Sequence, residues 1–556
     1  MKMADQIHTC HFSRPSRYLC LAIVLVIIMF SSTTLRILAS TATNNHPVLA
    51  KTSITHNVFS SNQRKRLNID TIQSRLKTME YAVRGKISIE ADRIAAELKK
   101  TQHDFPFERI IYTNIGNPHA MGQNPITWTR QVLALLQLPD DMGINHPNAH
   151  QLFPSDAIER ARSMKAAIDN GSVGAYTHSK GALSFRKDVA NFIERRDGAS
   201  PGSVNVENIF LTGGASEAIT MLMTALIKDQ TCGIMTPTPQ YPLYSATLDL
   251  LGGQKVGYYL DEESAWGLKL HELERSFADA QAKGINVVAM VIINPGNPTG
   301  NLLSSDEVKD VVKFCAKHNI VLLSDEVYQA NVYRTGDSFY SARRAADELG
   351  LIDNDGIQLC SFHSVSKGVY GECGQRGGYV EMVGVDSEVT DVLYKLAASK
   401  LCSSVTGQAM VSLMCRGPSP DDVSYQSHEA EKRQIFEGLK ERGLAMSKGL
   451  DDIPGFSCQL STGAMYAFPR LRLPPGAIEM SKRMGISPDT LYALDLLKVT
   501  GICVVPASGF GQKQERYGFR TTFLSMESVN VVERIRNHYT QFCQKYAELD
   551  ETCIGE

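Results

Sequence analysis

Along the middle of the chain, short runs of apolar and β-branched residues alternate with longer stretches whose apolar positions recur at helical spacing. NIFLTGG from Asn208, CGIMTP from Cys232, VVAMVIINP from Val287, IVLLSDEVY from Ile320 and IQLCSFHS from Ile357 read as strands. SEAITMLMTALIK from Ser216 and SSDEVKDVVKFCAKHN from Ser304 read as helices, each entered through a turn containing Gly or Pro. Ser304 and Ser305 precede Asp306 and Glu307, which predicts an N-cap at the start of the second. Strands that alternate with helices predict a parallel sheet covered on both faces, and in such sheets ligands sit at the carboxyl ends of the strands. From about Asp391 the rhythm changes to long helical stretches, with CQLSTGAMYAFPRL and GICVVPASGFG as isolated strands. That reads as a second, smaller α+β domain.

The periodic pattern begins near Leu67, with no internal repeat, low-complexity tract or long Pro/Ser linker after it. At 556 residues and 43% hydrophobic content the chain can bury a sizeable core, divided into two or three domains. Twelve cysteines, from Cys10 to Cys553, include no C-x-x-C pair and no His/Cys cluster at metal-ligand spacing. This argues against a metal site or a disulfide framework and for a reducing compartment. Residues 1–69 carry eight Lys/Arg and one acid, Asp5, for +7 against −2 for the whole chain, which leaves −9 for the rest. A basic, hydroxyl-rich, acid-poor leader resembles an organelle transit sequence, yet Tyr18–Phe30 is a 13-residue apolar run of the size of a signal-peptide core. It falls short of the ~20 residues needed to cross a bilayer, so no stable membrane anchor is expected in the mature protein. Import into the mitochondrial matrix is the first expectation, a plastid reached by a signal-plus-transit leader the second, and the secretory path the third.

The polar and Gly-rich clusters fall where strands have just ended. Asp325 follows mostly apolar residues, so its carboxylate emerges into a low-dielectric setting and needs a cationic partner or several donors; a structural ion pair or a helix N-cap is the alternative. Two Asn-Pro units in VIINPGNPTG hold Asn297 in an extended or turn geometry from which its amide can donate to a ligand. Gly213, Gly214, Ala215 and Ser216 lie at a strand-to-helix junction, where free backbone amides and the Ser216 hydroxyl make an anion site. The loop matches neither the dinucleotide-binding glycine pattern nor the P-loop, so the phosphate belongs to something smaller. In SFHSVSKGVYGECGQRGGY, Ser364, Ser366 and Arg376 can serve the same phosphate, which leaves Lys367 free. A lysine amine beside a phosphate site, an aspartate and an asparagine is the set expected for a Schiff base to pyridoxal phosphate.

Taken in order, YTNIGNPHAMGQNPITWTRQVLAL, GAYTHSKG, PTPQYPLYSA, INPGNPTG, LLSDEVYQANVY, SVSKGVYGECGQRGGY and GAMYAFPRL resemble the fold-type-I pyridoxal-phosphate aminotransferases, and among them the alanine aminotransferases, from about Glu80 to the C-terminus. The resemblance implies an α/β fold, with a large domain whose mostly parallel sheet lies between helices and a smaller α+β domain. The expected division is a targeting leader at 1–68, an N-terminal arm and part of the small domain at 69–125, a large cofactor-binding domain at 126–390 and a C-terminal small domain at 391–556. It also implies roles: Lys367 forms the Schiff base, Asp325 pairs with the pyridine nitrogen, and Asn297 and Tyr328 bond the ring's 3′ oxygen. Tyr241 stacks on the ring, while Ala215, Ser216, Ser364 and Arg376 hold the phosphate with Tyr176 donated across a homodimer interface. Arg520 clamps the substrate α-carboxylate and Gly116 supplies a backbone contact. His119 and Pro118 sit where variation near the substrate entrance is expected.

The reaction so implied is L-alanine plus 2-oxoglutarate to pyruvate plus L-glutamate by ping-pong transfer, with the freed Lys367 amine as the general base. Glutamate:glyoxylate aminotransferases share every motif above. A non-catalytic ligand sensor of this fold would be marked by loss of Lys367 and by a DNA-binding segment, and residues 1–69 show no helix-turn-helix pattern. A lyase or synthase of related fold is the remaining alternative, and no nucleic-acid partner is expected.

Overall fold

The alternation of the middle segment becomes a seven-stranded sheet. Its strands are β2 (Ile209–Thr212), β3 (Cys232–Thr238), β4 (Gln254–Tyr259), β5 (Asn286–Ile293), β6 (Val321–Asp325), β7 (Leu359–Ser364) and β8 (Gly378–Val383), after a short β1 (Ile111–Tyr112) that lies elsewhere. The spatial order is β2-β8-β7-β6-β5-β3-β4. All neighbours are parallel except β8, which runs antiparallel to both β2 and β7. The computed structural model describes residues 66–100, 103–352 and 356–552, and Ile72–Glu556 form one compact unit apart from the N-terminal residues. The apolar leader run Tyr18–Phe30 lies outside the described residues, and no helix among those described is long and apolar enough to cross a membrane.

The strands read as near-continuous apolar runs because both faces of the sheet are covered. Along β5, Ala289, Val291 and Ile293 join one core, while Met290 and Ile292 join another on the opposite face, as a two-residue period requires. The first core takes in the helix Ala215–Leu226 through Ala218, Ile219 and Leu222. The second takes in Leu273 and Phe277 of Leu270–Ala282 and Val308, Val311, Val312 and Cys315 of Ser305–His318. Each fully buried side chain of this size contributes about 1.5–3 kcal/mol of transfer free energy, so the helices are held by these faces rather than by helix propensity. Ser305–His318 also starts where its sequence says. The Ser304 hydroxyl accepts from the Glu307 amide at 3.3 Å, and the Glu307 carboxylate accepts from the Ser304 amide at 2.8 Å, a capping box.

The C-terminal segment builds a second sheet from two-residue strands around one six-residue strand, and the stretches read as isolated strands are not isolated. These are β9 (Phe456–Ser457), β10 (Tyr466–Ala467), β11 (Arg470–Leu471), β12 (Ile502–Cys503), β13 (Val505–Pro506) and β14 (Tyr517–Thr522). β10, β11 and β13 pair with β14, and β12 pairs in parallel with β1. Packing against helices such as Tyr425–Asp451 and Ser528–Thr552 compensates for their length, with Phe519, Phe523, Leu439 and Ile535 all buried in one core.

Candidate active site

The carboxyl ends of β2, β5, β6 and β7 face one cavity of about 280 Å³. Its lining includes Gly116, Ala215, Ser216, Tyr241, Asn297, Asp325, Tyr328, Ser364, Lys367, Arg376 and Arg520. Eleven of the twelve residues to which the resemblance gives a role therefore meet in one place. The twelfth, Tyr176, does not line it and is 69% exposed.

Reversal of β8 explains how one loop supplies two of these groups. Residues 365–377 leave β7 and return to β8 at the same end of the strands, so Lys367 near the start and Arg376 near the end stay together. Gly378 pairs with Ser364 on one side and Thr212 on the other. A Cβ at Gly378 would lie 2.7 Å from Gly214, so the glycine lets the helix start at Ala215 close against the loop. Gly214 itself has φ 97°, and a Cβ there would come within 2.6 Å of the Arg376 guanidinium. Arg376 is left-handed at φ 53° and donates to the carbonyls of Gly213 (2.6 Å) and Cys373 (3.0 Å). The first amides of the helix Ala215–Leu226 have no partner within it, and no side chain caps it. With the hydroxyls of Ser216 and Ser364 alongside, this is an anion cradle at a helix N-terminus.

The remaining groups form a connected polar set. Lys367 Nζ donates to the Gly116 carbonyl at 2.7 Å and lies 5.9 Å from the centroid of the Tyr328 ring. Gly116 is close-packed: a Cβ would meet the Tyr466 hydroxyl at 2.5 Å and Lys367 Nζ at 3.0 Å. Asp325, at the end of β6, accepts from the Tyr244 hydroxyl at 3.0 Å. Burial pushes its carboxyl up to about 6, against the pull of Tyr244, the Val327 amide and Lys367. It is a carboxylate that wants a cation. Arg520, on β14 and 1% exposed, donates to Asn297 Oδ1 at 2.8 Å and to the Asn114 carbonyl. Its guanidinium carbon lies 4.1 Å from the Tyr466 ring centroid and 4.8 Å from that of Phe510, and its Nε is buried without a partner. Tyr241 exchanges a 2.7 Å hydrogen bond with Tyr81.

Tyr81, Tyr244 and Tyr466 are among the residues that the sequence reading missed. Tyr244 lies three residues after Tyr241 in PQYPLYSA, and Tyr466 lies inside GAMYAFPRL, so the motifs held them without showing where they reach. The Tyr328 hydroxyl donates to that of Tyr466 at 3.1 Å, and the two phenols are pushed in opposite directions. Burial raises Tyr328, with Tyr466 adding to it. For Tyr466 burial is opposed and outweighed by the charges of Lys367 and Arg520, which hold the phenol below its usual range.

An α/β sheet with an anion cradle, an amine and a buried carboxylate at its strand ends, faced by a buried arginine from the second sheet, is a donor set suited to group transfer. The chain belongs to the class I and II aminotransferases, whose family model matches residues 141–535. It is 44% identical over 490 residues to the probable mitochondrial alanine aminotransferase of Dictyostelium discoideum, covering 87% of this chain and 90% of that protein. It is also 44% identical over 484 residues to glutamate–glyoxylate aminotransferase 1 of Arabidopsis thaliana, covering 87% and 98%. Among solved structures, an aminotransferase from Escherichia coli superposes with a TM-score of 0.64 at 25% identity, over 85% of this chain and 98% of that one.

Proposed function

We propose that the protein is an alanine aminotransferase that carries pyridoxal phosphate in this cavity and exchanges L-alanine and 2-oxoglutarate for pyruvate and L-glutamate. The observation that carries the reading is the meeting of Lys367, Asp325 and the Ser216–Ser364–Arg376 cradle in one cavity. Bound there, the cofactor would supply an aldehyde for the amino group and a ring that accepts the electron pair released at the substrate α-carbon. The free helix amides, the two serine hydroxyls and Arg376 would hold its phosphate, and Asp325, already in need of a cation, would pair with its ring nitrogen. Asn297 and Tyr328 would bond its 3′ oxygen, and Tyr241 would cover its ring. Arg520, with an unused Nε and its other donors on Asn297 and Asn114, orients the substrate α-carboxylate beside Gly116. Lys367 Nζ takes the proton from the substrate α-carbon and returns it on the other side of the transfer.

Tyr176 completes the phosphate site from a second copy of the chain, a role its exposure leaves open to it, and the enzyme is a homodimer. Residues 1–68 are a leader addressed to the mitochondrial matrix, supported by their basic, acid-poor composition and the mitochondrial relative. Residues 69–125, 126–390 and 391–556 are the arm, the large domain and the small domain.

The test is amino transfer by the purified, cofactor-loaded protein from alanine to 2-oxoglutarate and from glutamate to pyruvate, the latter with glyoxylate as a competing acceptor. Absence of transfer in either pair overturns the reading. A clear preference for glyoxylate over pyruvate selects the second one, which the Arabidopsis relative favours.

A further inference from the structure

Four cationic side chains line the cavity, Arg84, Lys367, Arg376 and Arg520, against one carboxylate, Asp325. Three of the four are already engaged by carbonyls or the Asn297 amide oxygen. Arg84 is not: among the described residues its guanidinium makes no hydrogen bond, ion pair or ring contact. Its backbone is nevertheless fixed. It ends the short 3-10 helix Ala82–Arg84, whose Val83 is buried and whose Val83 carbonyl accepts from the Ser88 hydroxyl at 2.9 Å. Arg84 also lines an adjoining cavity of about 580 Å³, and Asn117, whose carboxamide is likewise unpartnered, lines both. The second cavity's other arginine, Arg109, is paired with Glu527, and its Asp92 accepts from the Tyr112 hydroxyl.

We infer that Arg84, with the Asn117 carboxamide, binds the second carboxylate of the five-carbon dicarboxylate substrate. The inference rests on the reaction proposed above for its substrate class. That reaction passes two unlike substrates through one cavity: alanine has a single carboxylate, glutamate a second one further along. A planar guanidinium meets a carboxylate through two parallel bonds, which a methyl side chain cannot offer. The exposure of Arg84 is what such dual recognition needs. A buried arginine left unpaired each time alanine bound would carry a desolvation penalty, whereas an exposed one returns to water. The site can thus accept either substrate without rearrangement.

The experiment uses the full chain loaded with pyridoxal phosphate and compares wild type with Arg84→Gln. KM for 2-oxoglutarate and L-glutamate is expected to rise tenfold or more, while KM for alanine and pyruvate moves less than twofold. In calorimetric titration, the wild type's preference for glutarate over butyrate should disappear in the variant. An unchanged ratio of the two KM values, or an undiminished glutarate preference, overturns the inference and assigns the second carboxylate to another cation. If Arg84→Gln does not fold, Arg84→Lys is judged by the same two criteria, with an intermediate loss expected from the missing second bond. A wild-type protein that transfers no amino group yet prefers glutarate through Arg84 would refute the proposed reaction and leave the binding role standing.

Discussion

In the cofactor-free protein, replacing Asp325 with asparagine should stabilise the fold at neutral pH relative to its effect in acid. Burial raises this carboxyl from the ordinary 3.8 to about 6. The folded chain therefore holds the proton more tightly than the unfolded one, and its stability falls as pH rises through that interval. At about 1.4 kcal/mol per pH unit of displacement the full cost of ionisation is about 3 kcal/mol, absent below pH 3.8 and complete above pH 6. About 2 of the 3 kcal/mol develops between pH 4.5 and 7.5. Asparagine carries none of it. Its oxygen can keep one of the two bonds from the Tyr244 hydroxyl and the Val327 amide, and losing the other costs about 1 kcal/mol at every pH. The pH dependence of the difference is thus the diagnostic, not its absolute size. Equilibrium urea unfolding, followed through Trp128 and Trp266, should show the gap between variant and wild type widening in the variant's favour by about 2 kcal/mol from pH 4.5 to 7.5. Binding of pyridoxal phosphate should invert the order, because a cation against Asp325 makes its charge an asset. A difference that stays flat with pH, or one that the cofactor does not invert, would refute the assignment of Asp325 as a buried carboxylate awaiting a cation.

Lys367→Ala should leave the circular dichroism spectrum unchanged, since the amine bonds only the Gly116 carbonyl, and should slow amino transfer by about 10²–10⁴-fold or more in a stopped-flow half-reaction. Gly214→Ala places a side chain at φ 97° and 2.6 Å from the Arg376 guanidinium; a cofactor dissociation constant raised at least tenfold by fluorescence titration is expected. Ser304→Ala removes the hydroxyl half of the capping box and should lower unfolding stability by about 1 kcal/mol without changing KM.

The five strands named from the sequence were legible because each is an apolar run closed by a turn, and Ser304 because a cap is a local event. The direction of β8 was not. GYVEMV is buried on both faces, and its apolar pattern is the same whichever way the strand runs. β9–β13 have two residues each, too few for any period to register. In the cavity, Lys367, Asp325 and the Gly213–Ser216 turn announced themselves by chemistry at strand ends. Tyr466 could not, because it reaches the site from a different sheet, and what holds its phenol low is Lys367 and Arg520, 99 residues before it and 54 after it in the chain. Arg84 was equally silent: its interest lies in having no partner, which only the fold can show.

The hairpin formed by β7 and β8 places Lys367 and Arg376 on one covalent segment anchored wholly within the large sheet, whereas Arg520 rides on β14 of the other. Any shift of β14 relative to the large sheet would therefore move the Arg520 guanidinium past the amine while leaving the amine and the anion cradle in fixed relation. Among the contacts spanning the two sheets, those inside the cavity, Arg520 to Asn297 and Tyr328 to Tyr466, are polar, the kind that an incoming carboxylate can compete for. The amine with its anion cradle and the buried guanidinium are thus carried by different pieces of the chain, so a substitution that repositions one need not move the other.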